Sequence, residues 1–91
     1  MARVTVRMYA TVREVAGTSE LAIDVESMDE LVRELGARYG KPMRAMLDDF
    51  PDDPEGVVVL LNGRNMMKRS ARTAKLCEGD EVSIFPPVSG G

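Results

Sequence analysis

The residues of this chain whose types and spacing could serve chemistry lie at its C-terminus. Gly90 and Gly91 end the chain, a few residues beyond a pair of prolines, Pro86 and Pro87. Proline cannot donate a sheet hydrogen bond and favours extended polyproline geometry, so this pair predicts the end of a strand and an outstretched tail. The residues beyond Pro86 would carry the terminal carboxylate roughly 15 Å from the strand end. The pattern therefore predicts a chain that holds out its own carboxylate.

A diglycine end by itself is a weak signal. A frayed terminus or a cloning scar would look the same, and two terminal glycines arise by chance in about one chain in 200. The longer string is more specific: GDEV at residues 79–82, followed by FPPVSGG at residues 85–91. It resembles the end of the small, sulfur-carrying subunit of molybdopterin synthase, a family with a ubiquitin-like β-grasp fold that includes archaeal ubiquitin-like modifiers. The resemblance covers nearly the whole chain, and its specificity is concentrated in residues 79–91.

This resemblance implies a chemistry for the carboxylate of Gly91. A carboxylate is a poor electrophile, because its charge repels nucleophiles and oxide is a poor leaving group. Transfer of AMP from ATP on a partner enzyme would give an acyl-adenylate, and a persulfide would then displace AMP and leave a thiocarboxylate after reduction. The carrier would have no catalytic side chains, cofactor or metal of its own, and would donate sulfur for the molybdopterin of the molybdenum or tungsten cofactor.

The resemblance also implies partners: an adenylating enzyme related to ubiquitin-activating enzymes, a sulfurtransferase or cysteine desulfurase, and the large subunit of molybdopterin synthase. The residues that it implies for partner binding are the tail, its base and one loop arginine: Phe85, Pro86, Pro87, Val88, Ser89, Gly90 and Arg13. The segment Arg13-Glu14 resembles the family's corresponding loop, with a solvated loop charge as the alternative. Phe85 is expected on the solvent face of the sheet beside Arg7 and Tyr9, with cover by the chain's own loops as the alternative.

Two other functions stay open. One is a ubiquitin-like modifier, whose activated Gly91 would be joined to lysines of target proteins and which needs the same tail and the same activation. The other is a plain ubiquitin-fold interaction module, for which the terminus would be irrelevant. The residues do not distinguish molybdenum from tungsten, and they identify neither the sulfur donor nor the sulfur acceptor.

The composition limits the classes of protein to which this chain can belong. The chain has 91 residues, 44% of them hydrophobic and 30% charged, which predicts one domain at residues 1–87 and a flexible tail at 88–91. A net charge of −3 argues against nucleic-acid binding, which needs a basic stripe. Because there is one cysteine and no histidine, a disulfide framework, a Cys/His zinc site and histidine catalysis are excluded. No apolar run approaches a membrane span or a signal-peptide core, so we expect a cytoplasmic protein, monomeric until it meets a partner.

Alternating patterns predict a hairpin near the N-terminus. Residues 3–9 and residues 21–25 each alternate between apolar and other side chains, which is typical of half-buried strands. The connection between them is too long for a tight turn. Residues 11–16 could form one or two helical turns that stop at Gly17.

Ser27 and Glu30 predict the start of the main helix as a capping box. The Ser27 hydroxyl would accept the Glu30 amide N–H, and the Glu30 carboxylate would return to the Ser27 amide. An apolar stripe follows at helical spacing: Met28, Leu31, Val32, Leu35 and Tyr39. Gly40 fits the left-handed residue that ends a helix, and Pro42 should block continuation while opening a short second helix. Gly36 would allow close packing on the sheet.

The middle of the chain predicts a loop and a second hairpin. The acidic residues at 48–55 do not have the spacing of a calcium loop and are expected to be solvated. The apolar run at 57–61 is typical of a strand buried on both faces or flanked by helix. Asn62-Gly63 is a strong turn signal, from which residues 65–67 would return as a brief edge strand.

Residues 68–77 have no clear period and are expected to be irregular. Leu76 should anchor this stretch in the core, with Cys77 beside it as a small buried hydrophobe or an inert thiol. The basic cluster at 68–72 and the acidic loop at 48–55 depart from the family's pattern. These departures leave the identity of the partner open.

The order of elements is strand, strand, helix, strand, short strand, strand. A helix that covers one face of a mixed sheet is an α+β arrangement. The resemblance implies the ubiquitin-like β-grasp topology, with a mixed four- to five-stranded sheet, one main helix packed across it, and the first and last strands parallel at its centre.

Overall fold

The computed structural model describes residues 2–48, 50, 56–66 and 69–86. Within these residues the chain forms a five-stranded sheet, three α-helices and one 3-10 helix. The strands are β1 (Ala2–Met8), β2 (Glu20–Val25), β3 (Val58–Leu61), β4 (Arg64–Asn65) and β5 (Glu81–Phe85). The α-helices are α1 (Ala10–Ala16), α2 (Met28–Tyr39) and α3 (Lys41–Leu47), and the 3-10 helix is Arg69–Thr73.

The sheet has the strand order β2-β1-β5-β3-β4, so the first and last strands lie next to each other at its centre. β1 and β5 run parallel, with Val6 opposite Val82, whereas the other three pairs are antiparallel. This is the ubiquitin-like β-grasp topology. The α+β prediction and the parallel central pair are confirmed.

One face of the sheet packs against α1 and α2, and α3 packs on these two helices, so that together they form a single core. Its largest fully buried side chains include Met8, Leu31, Leu35, Met43 and Ile84. The sequence predicts a core between helix and sheet, and six of its seven residues are buried: Leu31, Val32, Leu35, Val59, Val82 and Ile84. The seventh, Leu61, is half-buried. Burying apolar side chains in this way contributes ~1.5–3 kcal/mol for each large residue.

The N-terminal hairpin follows the predicted pattern. Val4, Val6 and Met8 are buried, and β1 and β2 pair antiparallel over six residue pairs. The connection contains α1, which ends at Gly17 with φ 75° in the left-handed region. Glycine adopts this conformation without steric cost, so the predicted stop is confirmed.

The start of α2 confirms half of the predicted capping box. The Glu30 amide N–H donates to the Ser27 hydroxyl at 3.2 Å. The Glu30 carboxylate, however, accepts the N–H of Glu26 at 3.3 Å rather than that of Ser27, so this part of the prediction was wrong. The carboxylate reaches one residue further back, to the end of the strand that leads into the helix.

The end of α2 corrects two predictions. Gly40 has φ 81° and ψ −160°, which is outside the left-handed helical region, and α3 starts at the next residue with Pro42 in its first turn. Gly36 does not pack on the sheet. A Cβ at Gly36 would lie 2.7 Å from Cγ of Arg44, so the missing side chain allows α3 to approach α2.

The second half of the chain corrects three further predictions. The run at 57–61 is buried on one face only, because Val57 and Val59 are buried while Val58 and Leu60 are half-buried. The stretch that was expected to be irregular contains the 3-10 helix, although Leu76 is buried as predicted. Cys77 is exposed rather than buried.

Asn62-Gly63 forms the predicted turn between β3 and β4, with φ 51° and 84° at the two residues, as in a type I′ turn. The predicted edge strand is confirmed as β4, one residue earlier than expected. Of the acidic stretch 48–55, only Asp48 and Phe50 belong to the described residues. In the part of the chain that the structure describes, no helix is long and apolar enough to span a membrane.

Candidate functional site

The candidate site lies at the end of β5, where the chain leaves the sheet toward its C-terminus. Phe85 and Pro86 belong to the described residues, and both are half-buried. The other predicted tail residues, Pro87, Val88, Ser89, Gly90 and Gly91, lie outside the described residues, as does the predicted domain boundary at residue 87. The geometry of the site is therefore that of the platform from which the tail starts.

An aromatic stack forms the centre of this platform. The rings of Tyr9 and Phe85 have centroids 4.4 Å apart and an interplanar angle of 6°. Tyr9 is 38% exposed, and no other large hydrophobic side chain among the described residues is as open to solvent. Phe85 thus lies on the solvent face beside Tyr9, as predicted, and its partial cover comes from this ring.

The backbone around Tyr9 holds the stack in place. The Tyr9 N–H donates to the carbonyl of Ile84 at 3.2 Å, which continues the β1–β5 ladder, and its carbonyl accepts the N–H of Val12 at 3.1 Å. Ala10 follows with φ 51°, a left-handed conformation that costs a non-glycine residue about 1–2 kcal/mol. This strained residue turns the chain from β1 directly into α1, so that the helix starts beside the stack.

The solvent face of β2, β1 and the start of β5 is charged. Arg7 Nε donates to Glu81 at 2.8 Å, and Arg7 lies 4.0 Å from Glu20 on the other side. The hydrogen bond and charge of Glu81, with a smaller contribution from Glu20, raise the pKa of Arg7 above its ordinary value. Arg7 is therefore a fixed cation whose charge is already matched by two carboxylates.

The solvent face of β3 and the end of β5 is apolar. Val58 is paired with Phe85, and Leu60 is paired with Ser83, so their half-buried side chains lie on the same face as the stack. Together, Tyr9, Val58, Leu60 and Phe85 are called the apolar platform below. Sequence reasoning missed Val58 and Leu60, because a continuous apolar run such as 57–61 predicts a strand buried on both faces or flanked by helix. The two-layer architecture was the available signal, since it leaves one face of the sheet without a helix.

Arg13 lies at the margin of this platform. It lines a shallow open groove with Arg7, Met8, Tyr9, Ser19 and Glu20. The Arg13 side chain is exposed and makes no hydrogen bond or ion pair with any described residue. The structure brings Arg13 and Phe85 to the same corner of the molecule through Tyr9, which contacts the groove and the stack.

The turn before β5 is held by hydrogen bonds and not by apolar contacts. Asp80 accepts the N–H of Cys77 at 2.8 Å and the side-chain amide of Asn62 at 3.0 Å, and the Gly79 N–H donates to the Arg3 carbonyl at 2.9 Å. These bonds tie the start of β5 to β1 and to the β3–β4 turn. Among the described residues, no group of three or more His, Cys, Asp or Glu could hold a metal ion.

Residues 6–91 of the chain match the ThiS family. The chain belongs to this family. It is 35% identical over 88 residues to small archaeal modifier protein 3 of Haloferax volcanii, covering 93% of this chain and 95% of that protein. It is 29% identical over 90 residues to a protein of Archaeoglobus fulgidus named "Putative sulfur carrier protein", covering 97% of this chain and 98% of that protein.

A solved structure from Pyrococcus furiosus is similar to nearly the whole of this ThiS-family chain. It is described as a "Putative molybdopterin converting factor, subunit 1", and it superposes with a TM-score of 0.72 at 25% identity, covering 97% of this chain and 100% of that chain. The family of sulfur carriers and ubiquitin-like modifiers that the C-terminal string indicated is thereby confirmed.

Proposed function

We propose that this chain is a sulfur carrier whose C-terminal glycine, Gly91, is adenylated by a partner enzyme and converted to a thiocarboxylate. The observation that carries the proposal is the position of the apolar platform. It lies at the base of a diglycine tail, on the sheet face that no helix of the described residues covers, so an enzyme that docks there is close to the start of the tail.

The chemistry needs little from the carrier itself. An oxygen of the Gly91 carboxylate attacks the α-phosphorus of ATP and releases pyrophosphate, which gives the acyl-adenylate. The sulfur of a donor persulfide then attacks the acyl carbon and AMP leaves. A thiol reductant finally cleaves the resulting disulfide, is itself oxidised, and leaves the thiocarboxylate on Gly91. Two terminal glycines suit this series of reactions, because side chains at the last positions would obstruct a narrow adenylation channel.

The sulfur acceptor that we propose is the pterin precursor of molybdopterin, reached in a complex with the large subunit of a molybdopterin synthase. The string at residues 79–91 and the similarity to the Pyrococcus furiosus chain support this assignment. The partners would then be an adenylating enzyme, a sulfurtransferase or cysteine desulfurase, and that large subunit, each of which acts on the same C-terminal tail.

A second candidate function is conjugation of Gly91 to lysines of target proteins. It is favoured by the 35% identity to small archaeal modifier protein 3 over nearly the whole chain. Both functions start with the same acyl-adenylate and differ in the attacking nucleophile, which is a persulfide sulfur in one and a lysine amine in the other. Intact mass of the protein from its own host distinguishes a thiocarboxylate from an isopeptide adduct.

The decisive experiment is deletion of Gly90 and Gly91, followed by ATP–pyrophosphate exchange with the cognate adenylating enzyme. The deletion withdraws the carboxylate by roughly 6–7 Å, and displacement by as little as ~1 Å can cost 100-fold in a positioned reaction, so we expect exchange to be abolished. One residue added after Gly91 should be nearly as harmful.

Ser89→Ala serves as the matched control, because it alters the tail without changing its length. Thermal melting should be the same for all variants. If the truncated protein is adenylated and sulfurated at the wild-type rate, the carrier and modifier functions are both wrong and only an interaction module remains.

A further inference from the structure

Among the described residues the sheet has two edges, and they differ in what they leave open. β4 forms one edge with two residues, Arg64 and Asn65, which is too short to template another strand. β2 forms the other edge with six residues, and in the described chain it pairs with β1 alone. The edge of β2 is therefore the place where a further strand can be added.

The ladder between β1 and β2 shows which backbone groups point to the free edge. The N–H of Met8 donates to the carbonyl of Ser19 at 2.9 Å, and bonded pairs alternate with non-bonded pairs along an antiparallel ladder. The residues of β2 that bond to β1 are therefore the odd-numbered ones. The N–H and C=O groups that face the free edge belong to the even-numbered residues Glu20, Ala22 and Asp24.

The chain's own contacts close this edge at both ends and leave its middle open. The Thr18 hydroxyl donates to the Glu20 carbonyl at 3.0 Å and accepts the Glu20 N–H at 3.4 Å. At the other end, the Glu26 carbonyl accepts a backbone N–H at 3.0 Å from the segment before β5. No hydrogen bond from another described residue reaches the edge groups of Ala22 and Asp24. Two donors and two acceptors, spaced roughly 7 Å along the strand, thus remain for an extended segment, which pairs through every second residue.

The charges along this edge favour a basic segment. Glu20, Ala22 and Asp24 share the solvent face and are exposed, so two carboxylates flank one small residue. Arg7 lies 4.0 Å from Glu20 and Arg3 lies 3.2 Å from Asp24, but both arginines are on β1, and the two carboxylate side chains are still 52% and 45% exposed. A lysine or arginine opposite Ala22 can reach either carboxylate, because diagonal neighbours on adjacent strands lie within range of long side chains.

The core face of the same edge favours apolar residues. Leu21 is half-buried at the border of the core, whereas Ile23 is buried. Side chains of an added strand alternate between the two faces, so the residues opposite Leu21 and Ile23 would lie on the core face and cover the exposed part of Leu21. The segment that fits therefore alternates between basic and apolar residues.

A second copy of the chain fits this edge poorly. Antiparallel pairing of two β2 strands centred on Ala22 would place Glu20 of each copy opposite Asp24 of the other. Like charges directly opposite each other destabilise a strand pair. The edge therefore disfavours its own copy and selects a partner of opposite charge.

We propose that the free edge of β2 binds an extended partner segment of alternating basic and apolar residues as a sixth strand of the sheet. β1 lies between β2 and β5, so the edge is two strand spacings, about 10 Å, from the strand that leads to the tail. The inference goes beyond the proposed function, because this binding uses neither Gly91 nor the apolar platform.

The test is an NMR titration with a capped five-residue peptide in which lysine and valine alternate, with lysine at both ends. Two matched probes are the same peptide with glutamate in place of lysine, and the same peptide with N-methylated lysine amides, which cannot donate to the edge. We expect slower hydrogen exchange at the amides of Ala22 and Asp24 and no change at Arg64 on the opposite edge. Both matched probes should bind at least about tenfold more weakly, because one loses its charge attraction and the other its backbone hydrogen bonds.

Variants of the chain separate the backbone contact from the charge. Ala22→Pro removes the edge N–H and keeps the ladder to β1, since proline is tolerated where its missing N–H would face solvent, and it should abolish binding. Glu20→Gln with Asp24→Asn should lower the affinity about tenfold. The matched control, Glu14→Gln with Glu34→Gln, removes two exposed carboxylates on α1 and α2 and should not change it. If Ala22→Pro fails to fold, the N-methylated peptide still tests the backbone contact on the wild-type chain.

Several outcomes would overturn the inference. They are equal affinity for the lysine and glutamate peptides, undiminished binding of the N-methylated peptide, and no binding of the lysine peptide at all. Protection of the Ala22 amide that rises with protein concentration in the absence of peptide would assign the edge to a second copy and would overturn it as well. Deletion of Gly90 and Gly91 should leave peptide binding unchanged, so a failure of the proposed function in the pyrophosphate-exchange assay is distinguishable from a failure of this inference.

Discussion

The two ends of β5 are built by different interactions. At its start, backbone and side-chain hydrogen bonds of 2.8–3.0 Å from Gly79 and Asp80 hold the strand against β1 and the β3–β4 turn. At its end, Phe85 pairs with Val58 through the backbone, and its side chain is held by ring stacking on Tyr9, on an open face of the sheet. Hydrogen bonds specify direction and register, whereas the stack leaves apolar surface in contact with water.

This difference divides the C-terminal string into two parts. The GDEV portion at residues 79–82 serves the fold, because its groups are consumed by contacts within the chain. The portion from Phe85 onward leaves its surface available, and the proposed docking and chemistry belong to it. A string of residues that identifies a family therefore includes some positions that stabilise the fold and others that serve the function. The contacts within the chain show which positions are of which kind.

The largest expected effect on stability is that of a core residue outside β5, and it gives a reference value for the variants at the two ends of the strand. Leu35 on α2 is fully buried against the sheet. Leu35→Ala should lower the free energy of unfolding by ~2–5 kcal/mol, because it removes buried methyl groups and leaves a cavity. The measurement is urea denaturation. A denaturant midpoint that stays at the wild-type value would contradict the assignment of Leu35 to the core.

At the start of β5, Asp80→Ala should destabilise the fold by about 1–3 kcal/mol, because the Cys77 N–H and the Asn62 amide lose a charged acceptor. The KM for the adenylating enzyme should stay the same once the protein is folded. Asp24→Ala is the control, since it removes an exposed carboxylate that is paired only across strands with Arg3. An Asp80 variant as stable as the control would remove the distinction between the two ends.

At the end of β5, Phe85→Ala should have the opposite profile. The complex with the adenylating enzyme or the large subunit should weaken by about 1–2 kcal/mol, as expected for an aromatic anchor, and the fold should weaken by less. Calorimetric titration and thermal melting measure the two quantities. Equal affinity of variant and wild type would exclude Phe85 as an anchor, and the comparison would then rest on the start of the strand alone.

The smallest effect is expected for Glu81→Gln, between the two ends. The raised pKa of Arg7 means that its pairing stabilises the fold below the ordinary arginine pKa and is lost only as the pH rises through the higher folded value. Arg7 should therefore contribute no pH dependence between about pH 6 and pH 10. The thermal midpoint of the variant should follow that of the wild type over this range, since both partners are exposed. A large separation that stays constant over this range would indicate a stronger coupling than an exposed pair provides.

The sequence by itself determined the features that depend on neighbours in the chain. The alternation of β1, the Ser27 cap and the Asn62-Gly63 turn are set by backbone sterics and by hydrogen bonds over a few residues. Such interactions are the same in any fold, so their patterns can be read directly. The function of the diglycine tail could also be predicted from the sequence, because it depends on the types of its residues and not on contacts with distant ones.

The tertiary structure alone decided the features that depend on distant contacts. Tyr9 and Phe85 stack only because β1 and β5 are parallel neighbours, and Gly36 serves the approach of Arg44 rather than of the sheet. The exposed faces of Val58 and Leu60 follow from the absence of a layer over that side among the described residues. An apolar run does not record which of its faces is covered, because burial depends on what packs against the strand.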